Sequence, residues 1–435
     1  MTSVRGKLVW LILLTPLYWL SVANAVPSFA RQTGMPCSAC HTVFPELTAF
    51  GRSFKANGYT LTTKPSTTPG LSEDIAAPLS AMVQVSFTST RRAQPQSQNR
   101  TVLFPDELSL FYAGRISNAM GSFMQLTYEG SEDHFSLDNT DIRAAGKTQG
   151  EHAMVYGATL NNNPGVQDLW NSSPVWGFPY AGSGVAPSPA AATLLDGSLG
   201  QAVAGLGAYA YYRGMVYAEL TGYRASQIGE SQPPGSGASD VVKGTAPYWR
   251  LAVSGESGSH AWEVGTSGLV ANIYPSGVSG GTDHFRDLAL DAQYQYLADD
   301  HIVTGHAIFI QERRQWDVSF PAGDTANRSD DLRTVKADVG YYFKRRVGGV
   351  LGLFITDGDR DPVLYAPGPV EGSRNGQPDS RGAIVEVDYF PWLNTRFSAQ
   401  YVLYNRFNGT SSNYDGSGRD ASDNNVLYLN AWLMY

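Results

Sequence analysis

The chain has 435 residues, enough for one large domain or two smaller ones, and carries a formal net charge of −8. Charged residues make up only 16% of it while Gly (46) and Tyr (24) are abundant, a bulk composition shared by transmembrane β-barrels and secreted soluble β-proteins. The acidic excess argues against nucleic acid as a partner and favours the attraction of cations.

The first residues read as a targeting segment. Arg5 and Lys7 form a positive n-region, Leu8 to Val22 an apolar h-region, and Ala23-Asn24-Ala25 a small-residue cleavage site. Residues 1–25 are therefore expected to be a signal peptide rather than an anchor helix, the apolar run being short. Two basic residues leave with it, so a net charge of −8 becomes −10. No later apolar stretch is long enough for a transmembrane helix.

The only two cysteines follow in Cys37-Ser38-Ala39-Cys40-His41, the C-x-x-C-H signature of c-type haem attachment. Two thiols three positions apart share one helical turn and reach the two vinyl groups of a single porphyrin, and the adjacent imidazole faces the iron. The alternatives are a redox disulfide or half a zinc site. Zinc would want a second ligand pair, for which no other Cys exists, and a thioredoxin-like role would want a βαβ context that the flanks lack. One covalent haem c is thus expected on Cys37 and Cys40, with His41 as an axial ligand. Pro45 is placed like an N1 proline, Leu47, Phe50 and Phe54 recur at helical spacing, and Asn57-Gly58 reads as the stop. That apolar face suits either a porphyrin or an ordinary core. Met35, Met82, His134, His284 and His306 are all conceivable sixth ligands, and an open or water-bound position is a further alternative.

A segment of some fifty residues, 26–76, seldom folds unaided, so this cytochrome-like unit is expected to need a neighbour. From 77 to 435 the pattern changes to period-2 alternation separated by polar, Gly-rich stretches. Leu288, Leu290, Ala292, Tyr294 and Tyr296 oppose Asp287, Asp291, Gln293 and Gln295; Val335, Ala337, Val339, Tyr341 and Phe343 oppose Lys336 and Asp338; Ala383, Val385, Val387 and Tyr389 oppose Glu386 and Asp388. Sixteen such strands are predicted, those near 134–145 and 302–313 without clean alternation. The connections alternate between long, among them 161–202, and tight, with only 131–133 breaking the rule. Long outside loops and short periplasmic turns are the habit of outer-membrane barrels, with both termini then on the periplasmic side. A soluble β-sandwich would not explain the loop lengths, and a propeller would show a fixed repeat, which is absent. The fold predicted is an all-β transmembrane barrel of about sixteen strands, with the small helical segment plugging or docking at its lumen. If Glu219, Glu263, Asp287, Asp291, Asp338, Glu386 and Asp388 line that lumen, they either concentrate cations or are merely solvated.

The run Val26-Pro27-Ser28-Phe29-Ala30-Arg31-Gln32-Thr33-Gly34, then C-S-A-C-H, Phe44-Pro45-Glu46-Leu47-Thr48 and Phe50-Gly51-Arg52-x-Phe54-Lys55-x-Asn57-Gly58-Tyr59, resembles the N-terminal domain of the fused outer-membrane monohaem cytochrome–porins. That family includes the iron(II)-oxidising cytochromes c. The match is specific over roughly 26–60 and looser across the barrel, at Asp133-His134-Phe135 and Asp287 to Tyr296. The resemblance implies that the cytochrome sits in or at the mouth of the barrel, with Cys37, Cys40 and His41 in the haem roles. It also implies electron transfer across the outer membrane, from an extracellular donor such as Fe2+ to a periplasmic cytochrome c or copper protein. Were the chain an enzyme, it would be an iron(II)–cytochrome oxidoreductase; no separate catalytic residue stands out. The competing expectations are a solute channel whose haem segment is a plug or gate, and a redox sensor, for which no output domain is visible.

Overall fold

The computed structural model describes residues 28–62, 78–95, 97–197, 199–226, 241–392 and 394–435. The signal segment 1–25 and the expected boundary between 76 and 77 lie outside the described residues. Three short helices come first: α1 (Ser28–Thr33), α2 (Cys37–Cys40) and α3 (Ala49–Ala56). The strands follow as β1 (Leu79–Thr90), β2 (Thr101–Arg115), β3 (Met120–Glu129), β4 (His134–Lys147), β5 (Met154–Asn161), β6 (Val203–Tyr212), β7 (Val216–Ala225) and β8 (Ala246–Ser257). The second half holds β9 (His260–Ile273), β10 (Asp283–Leu297), β11 (His301–Gln315), β12 (Ser329–Phe343), β13 (Val347–Gly358), β14 (Ser380–Trp392), β15 (Thr395–Arg406) and β16 (Val426–Met434). Each strand bonds antiparallel to its chain neighbours, and β1 closes on β16 to complete one barrel. The strand count matches the alternation, including β4 and β11, where the alternation is poor.

The alternation settles which face meets which medium. On β10, Leu288 and Leu290 are 51% and 55% exposed, whereas Asp287, Asp291 and Gln295 are 6%, 3% and 0% exposed. On β14, Val385 and Val387 are exposed while Glu386 and Asp388 are buried. All sixteen strands carry at least one exposed large apolar side chain. Apolar outside and polar inside is the reverse of a water-soluble protein and requires a hydrocarbon surround. Near the short-turn end, Trp262, Tyr341, Phe343, Tyr389, Trp392 and Phe397 point outward as an aromatic girdle of the kind found at membrane interfaces. No described helix is long and apolar enough to cross a membrane. The chain is thus a porin-type outer-membrane barrel that crosses the lipid with strands.

Two expectations are corrected. Pro45 does not open the second helical stretch: α3 begins at Ala49, with Thr48 as N-cap accepting from the Gly51 N–H, because a capping hydroxyl satisfies an end donor that proline merely lacks. And 161–202 is not simply an outside loop. Its residues 161–173 are all buried, because the segment folds back into the lumen and meets the polar strand faces there. Gln167 bonds to Glu219 and Tyr223. The backbone N–H groups of Leu194 and Leu195 donate to Glu312 and Asp287.

Candidate functional site

The C-x-x-C-H motif lies in the short-turn mouth of the barrel, held by both helix contacts and strand contacts. Cys37 to Cys40 form the single turn α2, closed by the His41 N–H donating to the Cys37 carbonyl at 2.8 Å. Thr48 ties this turn to α3: its N–H donates to Cys40 O at 2.9 Å and its hydroxyl to Ala39 O at 2.5 Å. Gly51 lies flat against the turn, since a Cβ there would collide with the Cys40 carbonyl. On the other side, Phe29 stacks on Tyr59 with ring centroids 5.3 Å apart and meets Phe54 edge-on at 5.0 Å. Asn57 and Gly58, at φ +67°, end α3 as the sequence indicated.

The plug is bolted to the barrel by buried polar contacts. Arg345, in the turn between β12 and β13, donates to the carbonyls of His41 (2.9 Å) and Thr42 (3.0 Å). Arg52 bonds Gln295 at 3.1 Å, pairs with Glu256, and lies 3.6 Å from the Trp170 ring centroid. The Lys55 ammonium donates to Val166 O (2.8 Å), Asp168 O (2.6 Å) and Asn171 Oδ1 (3.1 Å) of the in-folded loop. Burial pulls Lys55 down to about 7. Glu46 accepts from Thr42 and Tyr180, both at 2.9 Å, and faces His306; burial raises its pKa.

Two cavities meet on the motif, with about 850 and 980 Å³ of space not filled by atoms and in part open to solvent. Both are bordered by Cys37, His41, Phe44 and Met434. The first opens among Arg345, Asn394, Thr395, Arg396 and Trp432; the second runs under Leu47, Gly51, Phe54 and Tyr59 and also touches Cys40 and Met35. Neither thiol is in a disulfide. The His41 Nδ1 is 3.2 Å from Pro45 O, the arrangement that fixes a ligating imidazole through its far nitrogen and leaves Nε2 for a metal. Burial pulls His41 down to about 4, so the ring is neutral, as a ligand must be. The first cavity's wall also contains two buried donors, Arg396 Nη1 and Trp432 Nε1, with no acceptor among the described residues. Adjacent thiols, a neutral fixed imidazole, apolar walls and orphaned donors fit a porphyrin with its carboxylate edge.

The conceivable sixth ligands are scattered. Met82 is packed in a cluster with Phe111, Ala113 and Trp432. His306 has Nδ1 2.8 Å from Asp338 and Nε2 3.7 Å from Glu46, and His284 faces Asp317 at 3.1 Å. His134 starts β4, opposite Glu129. Of the five, Met35 alone borders the cavities. Met434 borders both and was missed, although its inward parity with Trp432, opposite Leu429 and Leu433, was readable on the last strand. Arg345, in a turn, left no signal in the sequence.

The acidic residues expected in the lumen are there, most of them engaged by neighbouring side chains, while Asp338 also borders open space. Arg250 gathers Asp168 (3.3 Å), Glu263 (2.8 Å) and Asp291 (2.7 Å); Arg396 pairs with Glu386 and Asp388. These carboxylates tie loop to wall and strand to strand. Two further cavities lie in the lumen, one beside Asn171, Trp176, His306 and Asp338, the other beside Asp338, Lys336, Phe178 and Tyr404.

No protein-family model matches the chain, and no curated protein does. Among solved structures, it is similar to an anion-selective porin from Comamonas acidovorans (10% identity, 82% of this chain and 98% of that one, TM-score 0.48). It is likewise similar to Salmonella typhi OmpF in complex with daunomycin (12% identity, 82% and 97%, TM-score 0.47). A third is the outer-membrane channel DcaP of Acinetobacter baumannii (11% identity, 85% and 100%, TM-score 0.47). It is the barrel's own outward apolar strand faces that require a lipid surround.

Proposed function

We propose that the chain is an outer-membrane electron-transfer protein whose single haem c is carried by Cys37 and Cys40, with His41 as axial ligand. The observation that supports this most is the pair of largely apolar cavities meeting on Cys37 and His41, walled jointly by plug and barrel. When bound, the group supplies a one-electron iron couple. The chain's own part is to hold and shield it. Pro45 O orients the imidazole, Phe54, Leu47 and Tyr59 exclude water from one side, and Phe44 and Trp432, with centroids 5.0 Å apart, close the other. The short-turn mouth faces the periplasm by the habit of such barrels, so a periplasmic cytochrome c or copper protein is the acceptor within reach. The lumen cavities give a small extracellular donor, Fe2+ above all, a way inward, and the activity would then be that of an iron(II)–cytochrome oxidoreductase. Purified protein should show a c-type spectrum, and the oxidised form mixed with Fe(II) in a stopped-flow cell should develop the reduced bands. Colourless protein sinks the proposal, and coloured protein that Fe(II) leaves oxidised removes iron as donor.

The same cavities support a second reading, a solute channel with the N-terminal segment as plug. Planar-bilayer conductance separates the two: a relay gives little current with the plug seated, a channel gives a steady one.

A further inference from the structure

The first cavity has a wall that the protein leaves electrically unfinished. Arg396 is 5% exposed; its Nε donates to Asp388 at 2.8 Å and its Nη2 bonds Glu386, yet its Nη1 has no acceptor among the described residues. Trp432, 8% exposed, has an indole Nε1–H in the same condition. The two are neighbours, with the guanidinium carbon 5.9 Å from the indole ring centroid, and both border the cavity that contains Cys37 and His41. The connection to the motif is continuous: His41 and Phe44 have ring centroids 5.2 Å apart, and Phe44 meets Trp432 edge-on. Arg345 stands in the same wall, with Nη1 on the His41 and Thr42 carbonyls.

A buried donor without a partner is costly, and more so when it is charged. Other donors in the lumen lack partners as well, Arg143 Nη1 and Trp170 Nε1 among them, but Arg396 and Trp432 are neighbours that line one cavity, and together they mark the place of an absent acceptor. An acceptor that serves both must be able to take two hydrogen bonds at once, and a carboxylate does so. We propose that Arg396 Nη1 and Trp432 Nε1 hold one propionate carboxylate of the haem, with Arg345 supplying further positive charge beside it. This rests on the haem reading above. It goes further in giving barrel residues, two of them on the last two strands, a positioning role toward a group attached to the N-terminal plug. The barrel then completes the cofactor site instead of merely housing it.

The test uses the full-length haem-bearing protein in detergent or lipid. Trp432→Phe removes one N–H and keeps the ring. It should shift the propionate-bending band in the resonance Raman spectrum, while Trp316→Phe, whose indole already donates to Asp330 at 2.6 Å, should leave that band in place. Arg345→Gln removes a positive charge beside the haem, which disfavours the reduced state less charged by one unit. A tenfold loss in the reduction equilibrium, a fall of about 59 mV for one electron, is expected in a redox titration. Arg396→Gln should do the same; because it also frees Glu386 and Asp388, Trp432→Phe decides the matter if that variant does not fold. Folded, haem-bearing Trp432→Phe and Arg345→Gln proteins with wild-type Raman bands and potentials within a twofold change of equilibrium overturn the inference. Wild-type protein that carries no haem overturns the preceding reading instead.

Discussion

The middle of the lumen and its short-turn mouth are both buried, both polar in part, and built on opposite plans. In the middle, Arg250 finds three carboxylates, Lys55 finds three oxygen acceptors, and Asp168 accepts from the backbone of Trp170, Ser172 and Ser173. At the mouth, the walls are aromatic and aliphatic; idle donors occur in the middle as well, Arg143 Nη1, Trp170 Nε1 and Gln293 Nε2 among them, but Arg396 and Trp432 at the mouth are the ones that line open space. Most of the charge in the middle is met by the chain's own loop and strands, whereas the mouth keeps apolar space open beside its idle donors. The contrast teaches that one tube is packed by its own polypeptide over most of its length and left open beside the C-x-x-C-H turn.

The comparison can be broken most decisively at the mouth. Replacing Cys37 and Cys40 with Ala should abolish covalent haem, leaving no absorbing band on the denatured polypeptide; a coloured denatured chain would remove the motif from its role. The middle should give the next largest effect. Arg250→Met strips one cation from three buried carboxylates, and breaking such a pair costs about 3–5 kcal/mol, so the variant barrel should unfold at markedly lower denaturant while a haem spectrum persists. Equal loss of haem and stability would erase the distinction between the two regions. Gly51→Ala forces a methyl toward the Cys40 carbonyl, an overpacking worth about 1–3 kcal/mol, and should lower the haem content per barrel with little change in barrel unfolding. Lys55→Met cuts plug from loop at a cost of about 1–3 kcal/mol and should raise bilayer conductance as the plug loosens. Smallest is Thr48→Ala, which loses an N-cap for about 1 kcal/mol and should make plug residues more open to protease than barrel residues.

Legibility from sequence followed the range of the interactions. The outward set Leu288, Leu290, Val385 and Val387 and the inward set Asp287, Asp291, Glu386 and Asp388 were readable because strand alternation is a nearest-neighbour property. The stop at Asn57-Gly58 was readable for the same reason. Pro45 misled because proline at a helix start and proline in the turn before one look alike locally. Residues 161–202 gave no sign of turning inward, since Gln167 and Asp168 have polar loop composition and their partners Glu219 and Arg250 lie fifty to eighty positions away.

By itself, then, the sequence determined a tube of sixteen strands, its lipid face, and one C-x-x-C-H turn, each set by residues adjacent or two to four apart. Only the closed barrel decided what occupies the lumen, which carboxylates are tied to arginines, and that Arg345, Arg396, Trp432 and Met434 stand beside Cys37 and His41. The physical reason is closure. When β16 meets β1, side chains more than three hundred positions apart share one enclosed volume, and no local pattern in a chain records who its neighbours across that volume will be.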